Sequence, residues 1–462
     1  MEYEEFVAEK LRAHQSHGVD ASTDGYPLFE HQHAMTRWAA RKGRAAIFAD
    51  TGLGKTRMQL AWADIMHKHT GADVLILAPL AVAEQTRAEG QSMGLSVTHA
   101  RESVDIQPGI NITNYDRLHK FYAGRFNAVV LDESSIIKHH DAKTLRVLME
   151  SFAHADYRLC ATATPAPNDW TELGTHAEFL GVCTRSEMLS EYFTHDGGET
   201  QVWRLKGHAR GVFWRWVASW GAMLQSPADL GFDASAYALP PLNVEQITVA
   251  SDAEAPDGHL FAVEARTLSE RRQARRDSMR YRVSACAEKV NASDEPWVVW
   301  CELNAEGDAL IKAIPDAVEI RGADTAEHKE RALADFASGK IRVLVTKPKI
   351  AGFGLNWQHC SKVAFIGVTD SFEAYYQAIR RCWRFGQKRP VSAYLFVSDM
   401  EGAVLENLRR KEKDARDMFI ALSAETAEAV RDEVVGQKRH TNIYGANEKI
   451  AVPLFMRQRL AA

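Results

Sequence analysis

Apolar residues in this chain fall into short continuous runs, separated by longer segments in which they recur every three or four positions. The runs Ala45 to Ala49, Val74 to Ala78, Asn127 to Leu131 and Tyr157 to Ala161 read as buried strands. Between the first two, residues 56–69 carry Met58, Trp62, Ile65 and Met66 at helical spacing, and Gly71 stands where a helix stop is expected. This is one βαβ unit. In the second half Trp297 to Cys301, Ala317 to Ile320, Ile341 to Thr346, Val363 to Gly367 and Val391 to Val397 repeat the alternation. The pattern predicts an α/β fold of two lobes, each a mainly parallel sheet flanked by helices. The expected organisation is a helical extension over 1–24, a first lobe over 25–182, a helical insertion and linker over 183–257, a second lobe over 258–420 and a C-terminal extension over 421–462.

Composition narrows the class without choosing a function. With 462 residues, 46 % hydrophobic and 25 % charged, the chain can build sizeable cores and is neither disordered nor collagen-like. A formal net charge of -5 excludes a wholesale basic protein, so any nucleic-acid contact must come from local stripes of Lys and Arg. The cysteines, Cys160, Cys183, Cys286, Cys301, Cys360 and Cys382, show no zinc-ligand spacing, and a reducing compartment is the simplest reading. The N-terminus MEYEEFVAEKLRAHQ lacks an apolar signal core, so a cytoplasmic protein, neither secreted nor membrane-embedded, is expected. Trp203, Trp214, Trp216 and Trp220 of the insertion are expected to be core residues rather than a base-stacking surface. Residues 266–282 hold seven arginines, Arg282 among them, against Glu270 and Asp277; a solvated helix face and a phosphate-facing surface stand equal for this run.

Four motifs carry candidate chemistry. "ADTGLGKT", Ala49 to Thr56, follows a predicted strand and opens a helix. Glycines there let successive N–H groups turn toward a phosphate, and the helix N-terminus favours an anion. Lys55 would reach the β and γ phosphates, and Thr56 would ligate Mg²⁺. In "AVVLDESS" an apolar strand ends in Asp132 and Glu133, where a carboxylate faces the ligand crevice of an open α/β sheet. Asp132 suits Mg²⁺ held through water, and Glu133 suits orienting an attacking water. "ATATP" places Thr162 and Thr164 near the same crevice. "QAIRRCWRFGQ" puts Arg381 and Arg384 three residues apart on a predicted helix, one face aimed at a developing γ-phosphate charge. Those arginines belong to the other lobe, so an ATP site would be complete only when the lobes close.

Together these residues resemble helicase superfamily two, and within it the Swi/Snf-like DNA-dependent ATPases, over Leu28 to Lys413. "LFEHQHAMTRWA" is similar to the upstream adenine-recognition element, with Gln32 as its glutamine. "ADTGLGKT" resembles motif I, "LILAPLAVAEQTRAE" motif Ia, "NITNYDRL" the next DNA-contacting element, "LDESSIIK" motif II and "ATATPAPNDWTELGTHAEFL" motif III. "WVVWCELNAEGDAL", "AGFGLNW" and "YYQAIRRCWRFGQKRPV" resemble motifs IV, V and VI. The resemblance implies two RecA-like lobes with ATP and Mg²⁺ between them and duplex DNA tracked across both through its phosphates. Carried onto this chain, it implies nucleotide contacts from Gln32, Thr51, Gly52, Leu53, Gly54, Lys55, Thr56, Gly354 and Gln377. Catalysis falls to Lys55, Asp132, Glu133, Arg381 and Arg384, metal binding to Thr56 and Asp132, and nucleic-acid contacts to Pro79, Thr113, Lys347, Lys349 and Asn356.

The chain departs from the family pattern at four places. Ala49 stands where the P-loop has Gly, Ser134 and Ser135 replace Ala-His, Ala163 replaces Gly, and Lys347-Pro348-Lys349-Ile350 replaces a Ser-Thr-Arg-Ala-like run. The motif II link is then either absent or remade by hydroxyls, and lysines could supply phosphate contacts in place of the usual hydroxyl. A compact microbial or phage motor that translocates on duplex DNA is the leading expectation. Alternatives are a strand-separating DNA or RNA helicase, and a nucleic-acid-binding scaffold whose ATPase has decayed.

Overall fold

The computed structural model describes residues 16–79, 82–138, 143–166, 169–196, 199–249, 273, 275–351, 356–367, 372–398 and scattered positions between 410 and 434. The first half runs α1 (Glu30–Lys42), β1 (Arg44–Ala49), α2 (Lys55–Thr70), β2 (Val74–Ala78), α3 (Ala83–Ser92), β3 (Val97–His99), β4 (Ile110–Asn114), β5 (Ala128–Asp132), α4 (Lys143–Ser151) and β6 (Tyr157–Ala161). After α5 (Leu173–Leu180) and α6 (Arg185–Tyr192), an antiparallel hairpin, β7 (Phe193–Asp196) and β8 (Glu199–Leu205), leads into α7 (Arg210–Trp220) and β9 (Gly221–Leu224). The strands form a sheet of order β3-β4-β2-β5-β6-β1-β9, parallel throughout. β1, β2, β5 and β6 are buried almost end to end, as strands covered on both faces must be.

A second parallel sheet has order β10-β15-β14-β11-β13-β12. Its strands are β10 (Leu242–Val249), β11 (Trp297–Trp300), β12 (Ala317–Ile320), β13 (Val343–Thr346), β14 (Lys362–Phe365) and β15 (Val391–Ser398). Helices α8 (Met279–Asn291), α9 (Asn304–Ala313), α10 (Ala326–Ala337), α11 (Pro348–Ala351) and α12 (Phe372–Ile379) accompany them. Two α/β lobes are present, as the alternation of runs predicts. No helix among the described residues is long and apolar enough to cross a membrane.

The segment over 183–257 differs from the expected helical insertion. Its described residues hold four strands, of which β9 extends the first sheet beside β1 and β10 extends the second beside β15. Their sequences, GAML and LNVEQITV, are too short or too polar to stand out, and each forms by pairing with a strand distant in sequence. The tryptophans behave as core: Trp214, Trp216 and Trp220 are buried under the first sheet and Trp203 packs against them. β3 and β4 were also unmarked by any apolar run; Asn111 lies buried in β4 because its amide bonds Gln107 and Gly109.

The arginine run resolves differently from either reading at its end. Arg282 is completely buried and pairs with the equally buried Glu306, Nη1 to Oε1 at 2.9 Å. It also donates to Ser278 Oγ at 3.0 Å and to the Arg275 carbonyl. The second Glu306 oxygen accepts the backbone N–H groups of Glu302 and Leu303 that open α9. Arg282 is therefore a structural ion, and a phosphate-facing role is corrected for it. Removing one partner of a buried pair strands the other charge. Arg282→Met is expected to lower the unfolding free energy by about 3–5 kcal/mol, against within about 0.5 kcal/mol for the exposed Arg276→Met. Urea unfolding of both variants checks this.

Candidate nucleotide site between the lobes

The phosphate loop follows the carboxyl end of β1, and β6 and β5 bring Thr162 and Asp132 to the same edge of the sheet. Gly52 and Gly54 hold φ of 94° and 82°, a left-handed backbone costly for other residues. Space is also short: a Cβ on Gly54 would lie 2.1 Å from Gln32 Nε2, and one on Gly52 would lie 2.9 Å from Phe385 Cβ. The loop opens α2, whose first residue is Lys55. Lys55 Nζ folds back on its own loop, donating to the carbonyls of Ala49 at 2.8 Å and Asp50 at 3.3 Å. Burial lowers its pKa, opposed by Glu133, Asp50 and Asp132. Thr56 is half-buried beside it, and Thr51, Gly52, Leu53 and Gly54 make up the loop.

Across the crevice, Asp132 Oδ1 accepts from Gln59 Nε2 at 2.6 Å. Burial, then the neighbouring Glu133, pushes the Asp132 carboxyl up to about 6, against the pull of Gln59 and Lys55. Gln59 lies one turn along α2 from Lys55, so one helix face serves both groups. Glu133 has the single positive φ found at a non-glycine among the described residues, 52°, a strained conformation of the kind that clusters at functional sites. Thr162 Oγ1 donates to Glu133 Oε2 at 3.5 Å, and Thr164 N–H donates to Thr162 Oγ1 at 3.2 Å.

The second lobe brings arginines. Arg381 Nη2 donates to Gln377 Oε1 at 2.8 Å and its Nε to the Gln377 carbonyl at 3.1 Å. Burial holds Arg381 down to about 10, opposed by Glu133 and Asp132; burial and the neighbouring Arg381 and Arg380 hold Arg384 down to about 9. Lys55, Arg380, Arg381 and Arg384 thus crowd positive charge that Asp50, Asp132 and Glu133 answer only in part. This excess, with the glycine cradle and the N-terminus of α2, fits a polyphosphate. Asp132 and Thr56 are the oxygen donors that would hold its Mg²⁺.

Several expected contacts are placed otherwise. Gln32 is buried with both amide ends engaged, Oε1 accepting from Phe29 N–H and Nε2 donating to the Leu53 carbonyl, so it braces the phosphate loop. Gln377 braces Arg381. Gly354 lies outside the described residues. Thr113 is completely buried inside β4 and is corrected as a nucleic-acid contact; the buried Asn114 and half-buried Tyr115 follow it. They line a cavity of about 520 Å³ with Pro79, Glu133, Lys138, Lys329 and Lys349, drawn from both lobes. Lys347 donates to Asn304 Oδ1 at 2.6 Å, and Asn356 is half-buried with no partner for Oδ1 among the described residues.

Residues that the sequence reading missed are Gln59, His176, Asp50, Tyr376 and Arg380. Ser134 Oγ lies 3.1 Å from His176 Nε2 in α5. Of the two alternatives for motif II, a hydroxyl contact is present, from Ser134 to a histidine 42 residues on.

The model for the SNF2-related domain matches residues 31–216 and that for the helicase conserved C-terminal domain residues 285–386. The fold and these matches define a helicase-type protein with two RecA-like lobes. The chain belongs to the Swi/Snf-like group of helicase superfamily two. It is 34 % identical to the bifunctional helicase and thymine dioxygenase JBP2 of Leishmania braziliensis over 94 residues, 20 % of this chain and 9 % of that protein. To the probable global transactivator of Orgyia pseudotsugata multicapsid polyhedrosis virus it is 30 % identical over 187 residues, 34 % of this chain and 36 % of that one. A DEAD-box ATP-dependent RNA helicase 35A of Oryza sativa is 27 % identical over 157 residues, 33 % and 25 % of the two chains. The chain thus spans well under two thirds of the length of these relatives.

His176 supplies a pH test. Burial lowers its pKa from 6.5 to about 4, so between those values the unfolded chain binds the proton and the folded one does not. Stability is then held above the unfolded pKa and lost as pH falls toward 4. From pH 7 to 5 this one group costs about 2 kcal/mol of stability. His176→Gln is expected to flatten that part of the acid limb, read from urea midpoints at the two pH values.

Proposed function

We propose that the protein is a DNA-dependent ATPase that couples hydrolysis between the lobes to movement along duplex DNA, as a compact microbial or phage motor in the cytoplasm. The observation that carries the reading is Glu133. It stands beside Asp132 and Thr162 at the phosphate loop, and it also lines the cavity formed by Pro79, Asn114 and Tyr115 of one lobe and Lys329 and Lys349 of the other. A ligand in that cavity and a nucleotide at the loop would share one carboxylate. The lysines there suit phosphate oxygens, whose contacts position a protein on nucleic acid without reading its sequence.

In this reading Lys55 leaves the carbonyls of Ala49 and Asp50 for the β and γ phosphates, and Gly52 to Thr56 present N–H groups to them. Glu133 orients the attacking water and takes its proton, while Arg381 and Arg384 meet the charge that develops on the transferred group. Mg²⁺, held by Thr56 and through water by Asp132, supplies charge neutralisation when bound. Pro79, Lys347, Lys349 and Asn356 remain candidate contacts to the nucleic-acid backbone.

ATP turnover measured at fixed low salt without nucleic acid and with duplex DNA, single-stranded DNA or RNA tests the reading. Strong stimulation by duplex DNA is expected. Preference for a single strand or RNA would replace translocation by strand separation, and no turnover at all would favour the scaffold. Lys55→Ala and Glu133→Gln are each expected to lower the stimulated rate by at least about 100-fold, with ATP still bound by Glu133→Gln. Wild-type turnover by Glu133→Gln would remove its assigned role.

A further inference from the structure

An arginine outside the set assigned to catalysis touches the phosphate loop. It is Arg380, whose Nη2 lies 2.6 Å from Asp50 Oδ2 and donates to the Thr51 carbonyl at 3.1 Å. Tyr376 OH donates to the other Asp50 oxygen at 3.0 Å. Both lobes therefore meet on one carboxylate at the start of the loop. Arg380 is itself held: its guanidinium lies 5.5 Å from the Tyr376 ring centre and 5.1 Å from that of Trp383, and the Trp383 indole donates to the Pro240 carbonyl at 2.7 Å. Phe385 closes the same seam, packed on Gly52 and stacked on Tyr237 at 4.6 Å.

This arrangement constrains more than distance. A trans peptide points its carbonyl and the following N–H in opposite directions. With the Thr51 carbonyl drawn to Arg380, the Gly52 N–H is turned to the other side of the loop. The same contact fixes the chain immediately before Arg381 and Arg384. We propose that Arg380 and Asp50 are positioning residues for hydrolysis, forming an inter-lobe latch that sets the phosphate loop and the two hydrolytic arginines in one register. The inference rests on the nucleotide site proposed above.

The test compares Asp50→Asn, Arg380→Met and the double variant with the wild type in the full chain. Each single variant lowers kcat about tenfold or more while KM for ATP stays within about threefold, because register rather than binding is lost. The double variant is no slower than the slower single one, as expected for two residues acting as a unit. Tyr376→Phe removes one hydroxyl, gives a smaller loss in the same direction, and serves if Asp50→Asn does not fold. A second readout needs no turnover: dyes on Glu150→Cys and Arg331→Cys, exposed positions in α4 and α10, in a Cys183→Ser background, report the inter-lobe distance without nucleotide. The single variants widen that distance. Additive losses in the double variant, a loss carried by KM, or an unchanged dye distance overturns the latch. A wild type that hydrolyses no ATP overturns the proposed function instead, and the dye distance still decides the latch.

Discussion

Buried charge at the carboxyl ends of two parallel sheets is the constraint on which this structure turns. Asp132, Glu133 and Arg381 are buried and Lys55 and Arg384 half-buried, and the displaced pKa values of Asp132, Arg381 and Arg384 record the cost. Such groups are tolerated only while each is answered by another. Here four cations, Lys55, Arg380, Arg381 and Arg384, face three carboxylates, Asp50, Asp132 and Glu133, so the cluster is short of negative charge. Its positions follow from the fold: the first lobe supplies the loop after β1 and the tips of β5 and β6, and the second supplies the turn after α12. Neither lobe alone holds the complete set.

The same edge explains how two events could be joined. Glu133 belongs to the phosphate crevice through Thr162 and to the 520 Å³ cavity through its place in the wall. Its backbone is held in a left-handed turn between β5 and Ser134, and Ser134 is tied to His176. A shift of the chain after β5 on filling the cavity would reach the carboxylate directly. Beyond the crevice the lobes also face each other through Arg101, 3.8 Å from Glu327 and 4.0 Å from Glu330. These are exposed pairs, each worth about 0–1 kcal/mol, and they leave the lobes free to move apart on that side.

What the sequence disclosed is what local chemistry dictates. Gly52 and Gly54 announce a tight loop because their φ values suit glycine, and Asp132 announces the crevice because it ends an apolar run. The two sheets were legible for the same reason, through continuous runs such as Val74 to Ala78. What remained hidden depends on partners far away along the chain. β9 and β10 exist through pairing with β1 and β15, His176 matters through Ser134, and Arg380 meets a carboxylate 330 residues upstream. Thr113 was misread because a motif gives residue identity and not which way a side chain is buried. Arg282 looked like surface charge because Glu306, its partner, lies on another helix.

The central claim is that the second lobe completes a hydrolytic site begun by the first. Arg384→Ala tests it most directly, with single-turnover ATP hydrolysis and nucleotide affinity measured on the same preparation. The account predicts a rate lower by about 1,000-fold or more, the range seen for arginines that stabilise phosphoryl transfer, with affinity changed by less than about tenfold. An unchanged hydrolysis rate would contradict it.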